Sequence, residues 1–225
     1  MSIFFASFPN FLMHFPNLQI ERRLRKEGYR RIVGLDEVGC GSLAGPVMAG
    51  AVVLPLSIRL PGLRDSKLLS VSQREKMSDL IIERSEAWAI GEASVEEISE
   101  IGIRRATFLA MRRAFEQISG VDFLLVDAWH IPDVSLPQCG IIRGDQSVCS
   151  IAAASVVAKV VRDDRLRALA KIYPKYGFEI HKGYATEAHR KAIEAHGPCA
   201  IHRKTWKPFK QRQTAVMSEN FNVSH

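Results

Sequence analysis

Cysteine is sparse in this 225-residue sequence. Cys40, Cys139, Cys149 and Cys199 stand apart, with no Cys-x-x-Cys pair and no histidine at zinc-ligand spacing. That excludes a zinc module or disulfide framework from the reading and favours a reduced, intracellular, cytoplasmic chain. Long apolar runs are missing too. The longest, Leu43 to Leu56, is too short to span a membrane and is interrupted by Pro46 and Pro55. The apolar, aromatic start, Met1 to Phe15, lacks the basic n-region of a secretory signal, so no membrane partner is expected. Repeats and low-complexity tracts are also absent.

Basic residues are in excess. Lys plus Arg number 31 against 24 for Asp plus Glu, a formal charge of +7 that favours a polyanionic partner such as nucleic acid. A hydrophobic content of 47% supports a substantial core, and the length fits one domain with an appendage. Residues 1–28 read as an N-terminal extension of uncertain order, and the polar, aperiodic stretch 211–225 reads as a flexible tail.

Along the chain, Arg31-Ile-Val-Gly-Leu35 reads as a buried strand with Asp36 and Glu37 at or near its end. The glycine-rich turn Gly39 to Gly45 and Pro46 return the chain into Val47 to Leu54, predicting a hairpin at the sheet's centre. Ser70 or Ser72 caps a helix running to about Glu86, and Trp88 to Val95 reads as a third strand. Helices are expected over Val95 to Ile101 and Ile103 to Ile118. Val121 to Val126 is a short strand that delivers Asp127, and Ile141 to Asp145 repeats the pattern of an apolar run ending in an acid. A helix from about Ser150 to Ile172 has small and apolar residues on one side, suited to close packing on a sheet. His181-Lys-Gly-Tyr184 opens another helix, which Gly197 and Pro198 close, and His202 to Lys207 is basic and aromatic. The pattern predicts an α/β fold with a mixed sheet flanked by helices.

Strand-terminal Asp36, Glu37, Asp127 and Asp145 would share one edge of the sheet if their strands are neighbours. Clustered carboxylates cannot all stay ionised without cations, and hard divalent ions with oxygen ligands meet that need. The plainer reading of any one acid is a cap, turn or ion pair. Neither a phosphate loop nor a dinucleotide fingerprint fits the glycine turn, because the Lys-Ser/Thr is missing and Pro46 replaces a helix start. Asp65-Ser66-Lys67 offers a hydroxyl and an ammonium to phosphate, or is a turn leading into a helix. Tyr184 either stacks on a sugar or base or is a half-buried structural tyrosine. Lys159 either neutralises the acids or snorkels from its helix.

Gly34-Leu-Asp-Glu-Val-Gly-Cys-Gly-Ser-Leu-Ala-Gly-Pro46, Asp65-Ser-Lys67, Asp127, Gly144-Asp145, Ser150 to Lys159 with Arg162-Asp163, and His181-Lys-Gly-Tyr184 occur in the order of the ribonuclease HII motifs. The chain resembles that type 2 ribonuclease H family from about Arg30 to Lys210. The resemblance implies a ribonuclease H-like fold with a C-terminal helical extension, making residues 29–210 the catalytic domain. It also implies an endonuclease using Mg²⁺ or Mn²⁺ to cut the RNA strand of RNA-DNA hybrids. Such enzymes cut 5′ of ribonucleotides embedded in duplex DNA as well, leaving 3′-hydroxyl and 5′-phosphate ends. By family role, Asp36, Glu37, Asp127 and Asp145 match the metal-binding and catalytic acids, and Gly39, Cys40 and Gly41 match the turn that reads the ribose 2′-hydroxyl. Tyr184 matches the tyrosine that senses the sugar at the RNA-DNA junction, while Ser66 and Lys67 match backbone-contacting positions; Lys159 joins the nucleic-acid-binding set. No obligate protein partner is implied, and a monomer is expected. One departure is Cys40, where the family usually carries Arg; it reads as a packed small residue in preference to a reactive thiol. The rival functions are a non-catalytic hybrid-binding protein and a junction resolvase of the same fold.

Overall fold

The computed structural model describes residues 15–206 and Phe209. The expected tail and residues 1–14 of the expected extension lie outside the described residues. In chain order the elements are α1 (Gln19–Lys26), β1 (Ile32–Val38), β2 (Val47–Val53), α2 (Val71–Arg84), β3 (Ala87–Ala93), α3 (Val95–Ile101), α4 (Ile103–Phe115), β4 (Phe123–Asp127), β5 (Gln138–Ile141), α5 (Gly144–Ser147), α6 (Cys149–Ile172), α7 (Phe178–His181) and α8 (Glu187–His196). A short 3-10 turn, Ser66–Leu68, precedes α2.

The sheet runs in the order β3-β2-β1-β4-β5. β1, β2 and β3 pair antiparallel as successive strands, whereas β4 lies parallel to β1 and β5 parallel to β4. This is the expected mixed sheet with the hairpin's first strand at its centre. Alternation along β1 and β2 sends Val33, Leu35, Ala49, Ala51 and Val53 into a core with Met111 and Phe115 of α4. The opposite face packs on α6, where Val52 meets Ala152, Ala153 and Val156. Gly34 lies on that second face. A Cβ there would stand 2.2 Å from the Ser150 carbonyl carbon, so the missing side chain lets α6 lie directly on the central strand.

Local chemistry accounts for most helix starts. Ser70 and Ser94 each form a reciprocal capping box, with Gln73 and Glu97, ahead of α2 and α3. The long helix α6 starts at Cys149 after Val148, which offers no side-chain cap. Its Ser150 N–H instead donates to Glu21 Oε1 of α1 at 2.9 Å. Part of the expected N-terminal extension therefore caps the helix that runs across the central strands, and Glu21 is 2% exposed.

Asp36 and Glu37 lie near the end of β1, as expected; the strand runs on to Val38, because Asp36, Glu37 and Val38 still pair with Gly50, Ala49 and Met48 of β2. Two local expectations are corrected. Asp145 does not end a strand: β5 stops at Ile141, Arg143 takes a left-handed backbone, and Asp145 is the second residue of α5. His181 to Tyr184 does not open a helix either, since Lys182 and Gly183 both have positive φ; α8 begins after Thr186, whose hydroxyl accepts from His189 N.

Candidate active site

Strand register brings the acids together. β1 and β4 run parallel with Leu35 beside Val126, so Asp127 at the end of β4 comes level with Asp36. Asp36 shares the α6 face with Gly34, and the Ser155 hydroxyl of α6 bonds its carboxyl. Glu37 points to the other face, toward Cys40 and the α4 side. Asp145 joins from α5, where Gly144 N donates to Asp127 Oδ1 at 2.7 Å. A cavity of about 210 Å³ opens between Asp36, Glu37, Asp127, Lys67 and Tyr184.

Charge is in conflict here. Burial, then repulsion from Glu37, Asp127 and Asp145, holds the Asp36 carboxyl well above the usual carboxylate range. Glu37 is raised by burial and by Asp127, and Asp127 by burial. Burial together with Asp127 and Asp65 lifts Asp145 to about 6. The opposing cation is Lys67, whose exposed ammonium stands 3.8 Å from Asp145 Oδ2. Lys159, one candidate for that role, donates instead to Asp163 at 2.7 Å and lies 5.3 Å from the Tyr184 ring centre. Asp163 also meets Arg74 at 3.7 Å, which ties α2 to α6.

A divalent cation fits this donor set: hard carboxylate oxygens, mutually repelling, with Glu37 Oε2 buried and without a hydrogen-bond partner. Among the described residues, no three His, Cys, Asp or Glu side chains are gathered closely enough to hold an ion as they stand. Two of the acids spend an oxygen on a backbone amide, Asp36 on Glu37 N at 2.8 Å and Asp127 on Gly144 N.

The glycine turn is built from below by two fully buried arginines. Arg203 donates to Gly39 O at 2.7 Å, Cys40 O at 2.9 Å and Gly45 O at 2.9 Å. In a trans peptide the N–H points opposite to the C=O, so the Cys40 and Gly41 amides point away from that guanidinium. Gly39 and Cys40 themselves line the cavity. Arg162 holds Pro46 O, Ala44 O and the Ser42 hydroxyl at 2.9 to 3.2 Å. Gly39 has φ +89, and a Cβ there would lie 2.1 Å from Arg162 Nε, so this position needs glycine on both counts. Backbone carbonyls and the Trp206 ring, 5.0 Å from the guanidinium carbon, face the Arg203 cation; burial and Arg162 lower it to about 9, which leaves it a cation at neutral pH.

Cys40 sits against the α4-side core with its thiol 3.1 Å from the Thr107 hydroxyl. Burial, then the nearby Glu37 carboxyl, pushes that thiol up to about 11. Ser66 lies under the site with its hydroxyl 3.1 Å from that of Ser155, and Arg74 fixes the Ser66 carbonyl at 2.9 Å. Asp65 caps the 3-10 turn by accepting from Lys67 N at 2.9 Å. The structure thus gathers the sequence-predicted residues around one cavity or in contact with its walls. What sequence reasoning missed is the supporting set: Asp65 as an orienting acid, Ser155, and the clamps Arg162 and Arg203. Arg162 stood inside a motif without a role, and Arg203 stood in a basic segment; their partners in the glycine turn lie more than a hundred residues away, beyond any local pattern.

The ribonuclease HII family model matches residues 33–209. A ribonuclease HII from Nitrosococcus oceani is 47% identical over 183 residues, 81% of this chain and 91% of the relative. Among solved structures, the ribonuclease HII of Archaeoglobus fulgidus in complex with PCNA superposes with a TM-score of 0.66 at 23% identity, covering 79% of this chain and 96% of that one. The Bst ribonuclease HIII in complex with Mn²⁺ gives a TM-score of 0.65 at 15% identity, covering 85% and 71%. The structural likenesses support the ribonuclease H-like fold; the sequence matches go further, and by them the chain belongs to the ribonuclease HII family of divalent-metal-dependent endonucleases.

Proposed function

We propose that this chain hydrolyses the phosphodiester on the 5′ side of a ribonucleotide, both in RNA-DNA hybrids and in duplex DNA carrying a single ribonucleotide. The observation that carries the reading is the set of four mutually repelling acids, Asp36 and Asp145 buried and Glu37 and Asp127 half-buried, beside a glycine turn that lines the same cavity. Asp36, Glu37, Asp127 and Asp145 would hold Mg²⁺ or Mn²⁺, hard ions suited to carboxylate oxygens; the Bst ribonuclease HIII of like fold was solved with Mn²⁺. The bound ion would supply Lewis-acid polarisation of the phosphate and lower the pKa of the attacking water.

The chain's own residues do the rest. Lys67, exposed at the rim, meets the phosphate backbone as a mobile cation. Ser66 supports that contact from below. The Cys40 and Gly41 amides, turned outward by Arg203, donate to the ribose 2′-hydroxyl, and a deoxyribose leaves them unpaired. Tyr184, flanked by Lys159 and Arg162, offers its ring to the following sugar. Water attacks phosphorus, the bond to the 3′-oxygen of the preceding nucleotide breaks, and the products carry a 3′-hydroxyl and a 5′-phosphate. We read the protein as a cytoplasmic monomer; among the described residues no helix is long and apolar enough to cross a membrane.

Incubation with a single-ribonucleotide duplex and with an all-DNA four-way junction tests this reading. Cleavage of the first alone, under Mg²⁺ or Mn²⁺, is expected. Failure to cleave under every divalent ion overturns the enzyme, and cleavage of the junction alone makes it a resolvase.

A further inference from the structure

We propose that His202 and His189, with His181 stacked on His189, form a tautomer-locked relay of hydrogen bonds that positions Tyr184, making His189 a positioning residue for recognition of the ribonucleotide. The inference rests on the reading of Tyr184 as the sugar-sensing residue. All three rings are buried, His189 completely. His181 and His189 stack with centroids 4.2 Å apart, and His189 Nε2 lies 3.1 Å from His202 Nε2.

Fixed backbone partners decide where each proton sits. Cys199 N–H donates to His202 Nδ1 at 2.9 Å, so that nitrogen carries a lone pair and the His202 proton is on Nε2. His202 Nε2–H then donates to His189 Nε2, which puts the His189 proton on Nδ1. That proton is given to Tyr184 O at 2.9 Å, since a carbonyl can only accept. His181 follows the same logic, with Gly183 N donating to its Nδ1 at 3.2 Å while its Nε2 donates to Tyr176 O at 2.6 Å. Every direction is consistent with three neutral rings, and reversing the ring between His202 and Tyr184 would set two lone pairs against each other. Burial lowers both His189 and His202 to about 4, so neutrality holds at working pH.

The relay joins the two halves of the recognition site. Gly183 O accepts from Leu43 N at 2.8 Å, and Arg203 N donates to Leu43 O at 2.9 Å. Displacing Tyr184 O therefore shifts the tyrosine against the glycine turn. Lys182 and Gly183 both have positive φ, so on its N-terminal side Tyr184 is tied by a turn bond alone, from its N–H to His181 O at 2.9 Å. On its C-terminal side the carbonyl takes two donors, Thr186 N at 2.8 Å and His189 Nδ1 at 2.9 Å, and the His189 bond is the one that ties Tyr184 to the buried rings.

Two substitutions separate positioning from packing. His189→Asn puts an amide donor where Nδ1–H sat, whereas His189→Gln moves the donor outward to the place of Nε2; both remove the ring and its stacking. The readout is the ratio of kcat/KM on a single-ribonucleotide duplex to kcat/KM on a long RNA-DNA hybrid. H189N is expected to stay within about threefold of the wild-type ratio and H189Q to lose about tenfold, the worth of one buried hydrogen bond. Equal ratios for the two variants overturn the relay. Tyr184→Ala run alongside separates the underlying reading: an unchanged ratio there, with H189Q still below H189N, means that the relay stands and the role of Tyr184 fails. Should neither His189 variant fold, long-range ¹H-¹⁵N spectra of the wild-type imidazoles decide. Neutral rings protonated at Nδ1 of His189 and Nε2 of His202 are expected, and the opposite tautomer at either, or a cationic ring at pH 7, overturns the proposal.

Discussion

Asp36 shows most clearly how a single residue sets stability against chemistry. It sits on the central strand, 6% exposed, with three other acids acting on its charge. Asp36→Asn removes one repelling charge and keeps the shape. In metal-free buffer the variant is expected to melt about 2–4 °C higher, the response of a chain this size to about 1 kcal/mol. Its rate on a ribonucleotide-containing duplex is expected to fall about a hundredfold or more, as when a charge-stabilising group is lost from an active site. Calorimetry and single-turnover cleavage of the same preparation check both halves. Cys40 gives a second residue-level test. With its thiol pushed up to about 11 from 9.0, it holds about a hundredfold less thiolate at neutral pH than an ordinary cysteine. Iodoacetamide labelling read by mass spectrometry is expected to leave Cys40 largely unmodified in the native protein and to modify it freely in denaturant. The sequence reading of Cys40 as a packed residue agrees with its place beside Thr107.

Elements were legible where the chemistry that makes them is local. The bounds Val95–Ile101 for α3 could be read directly, because Ser94 and Glu97 close a capping box at one end and Gly102 ends the helix at the other. α2 was legible within two residues because Ser70 caps it, and α6 within one because of its run of small and apolar residues. Asp145 was misplaced because what decides it is Arg143 in a left-handed turn and Gly144 N reaching Asp127, and neither leaves a periodic trace. α1 escaped because its partner, the start of α6, lies 129 residues on. Its role predicts a contrast. Glu21→Ala removes the cap of α6 and is expected to cost about 1–2 kcal/mol in chemical denaturation. Glu21→Gln keeps an acceptor for Ser150 N, and because burial already raises the Glu21 pKa, it is expected to equal or exceed wild-type stability at pH 7. Equal losses in the two variants would remove the capping account.

At the scale of the whole molecule, two sets of groups shape stability against pH, with opposite signs. His189 and His202 fall to about 4 in the folded chain from an ordinary 6.5, so the unfolded chain binds more protons and stability is lost as pH drops from about 6.5 to about 4. Asp145 rises to about 6, so its contribution is lost as pH climbs through that value. The metal-free protein is therefore expected to melt highest near pH 6. Added Mg²⁺ is expected to raise Tm more at pH 8 than at pH 5, because ionised acids bind it and protonated ones do not. Thermal scans across pH, with and without Mg²⁺, check both statements.

The outline of the molecule was legible in the sequence because the mixed sheet, the acid sites and the glycine turn each have a local signature. The clamps were not, since Arg162, Arg203 and the histidine relay act through backbone groups that only the folded chain brings near. The measurement that tests the account most directly is single-turnover cleavage of a DNA duplex carrying one ribonucleotide, against the identical duplex with a deoxynucleotide there. The account predicts a Mg²⁺- or Mn²⁺-dependent cut on the 5′ side of the ribonucleotide, with the all-DNA duplex slower by a factor on the order of 10⁴, the discrimination of a site built to pair a hydroxyl. Equal cutting of the two duplexes, or cutting undiminished by EDTA, would contradict it.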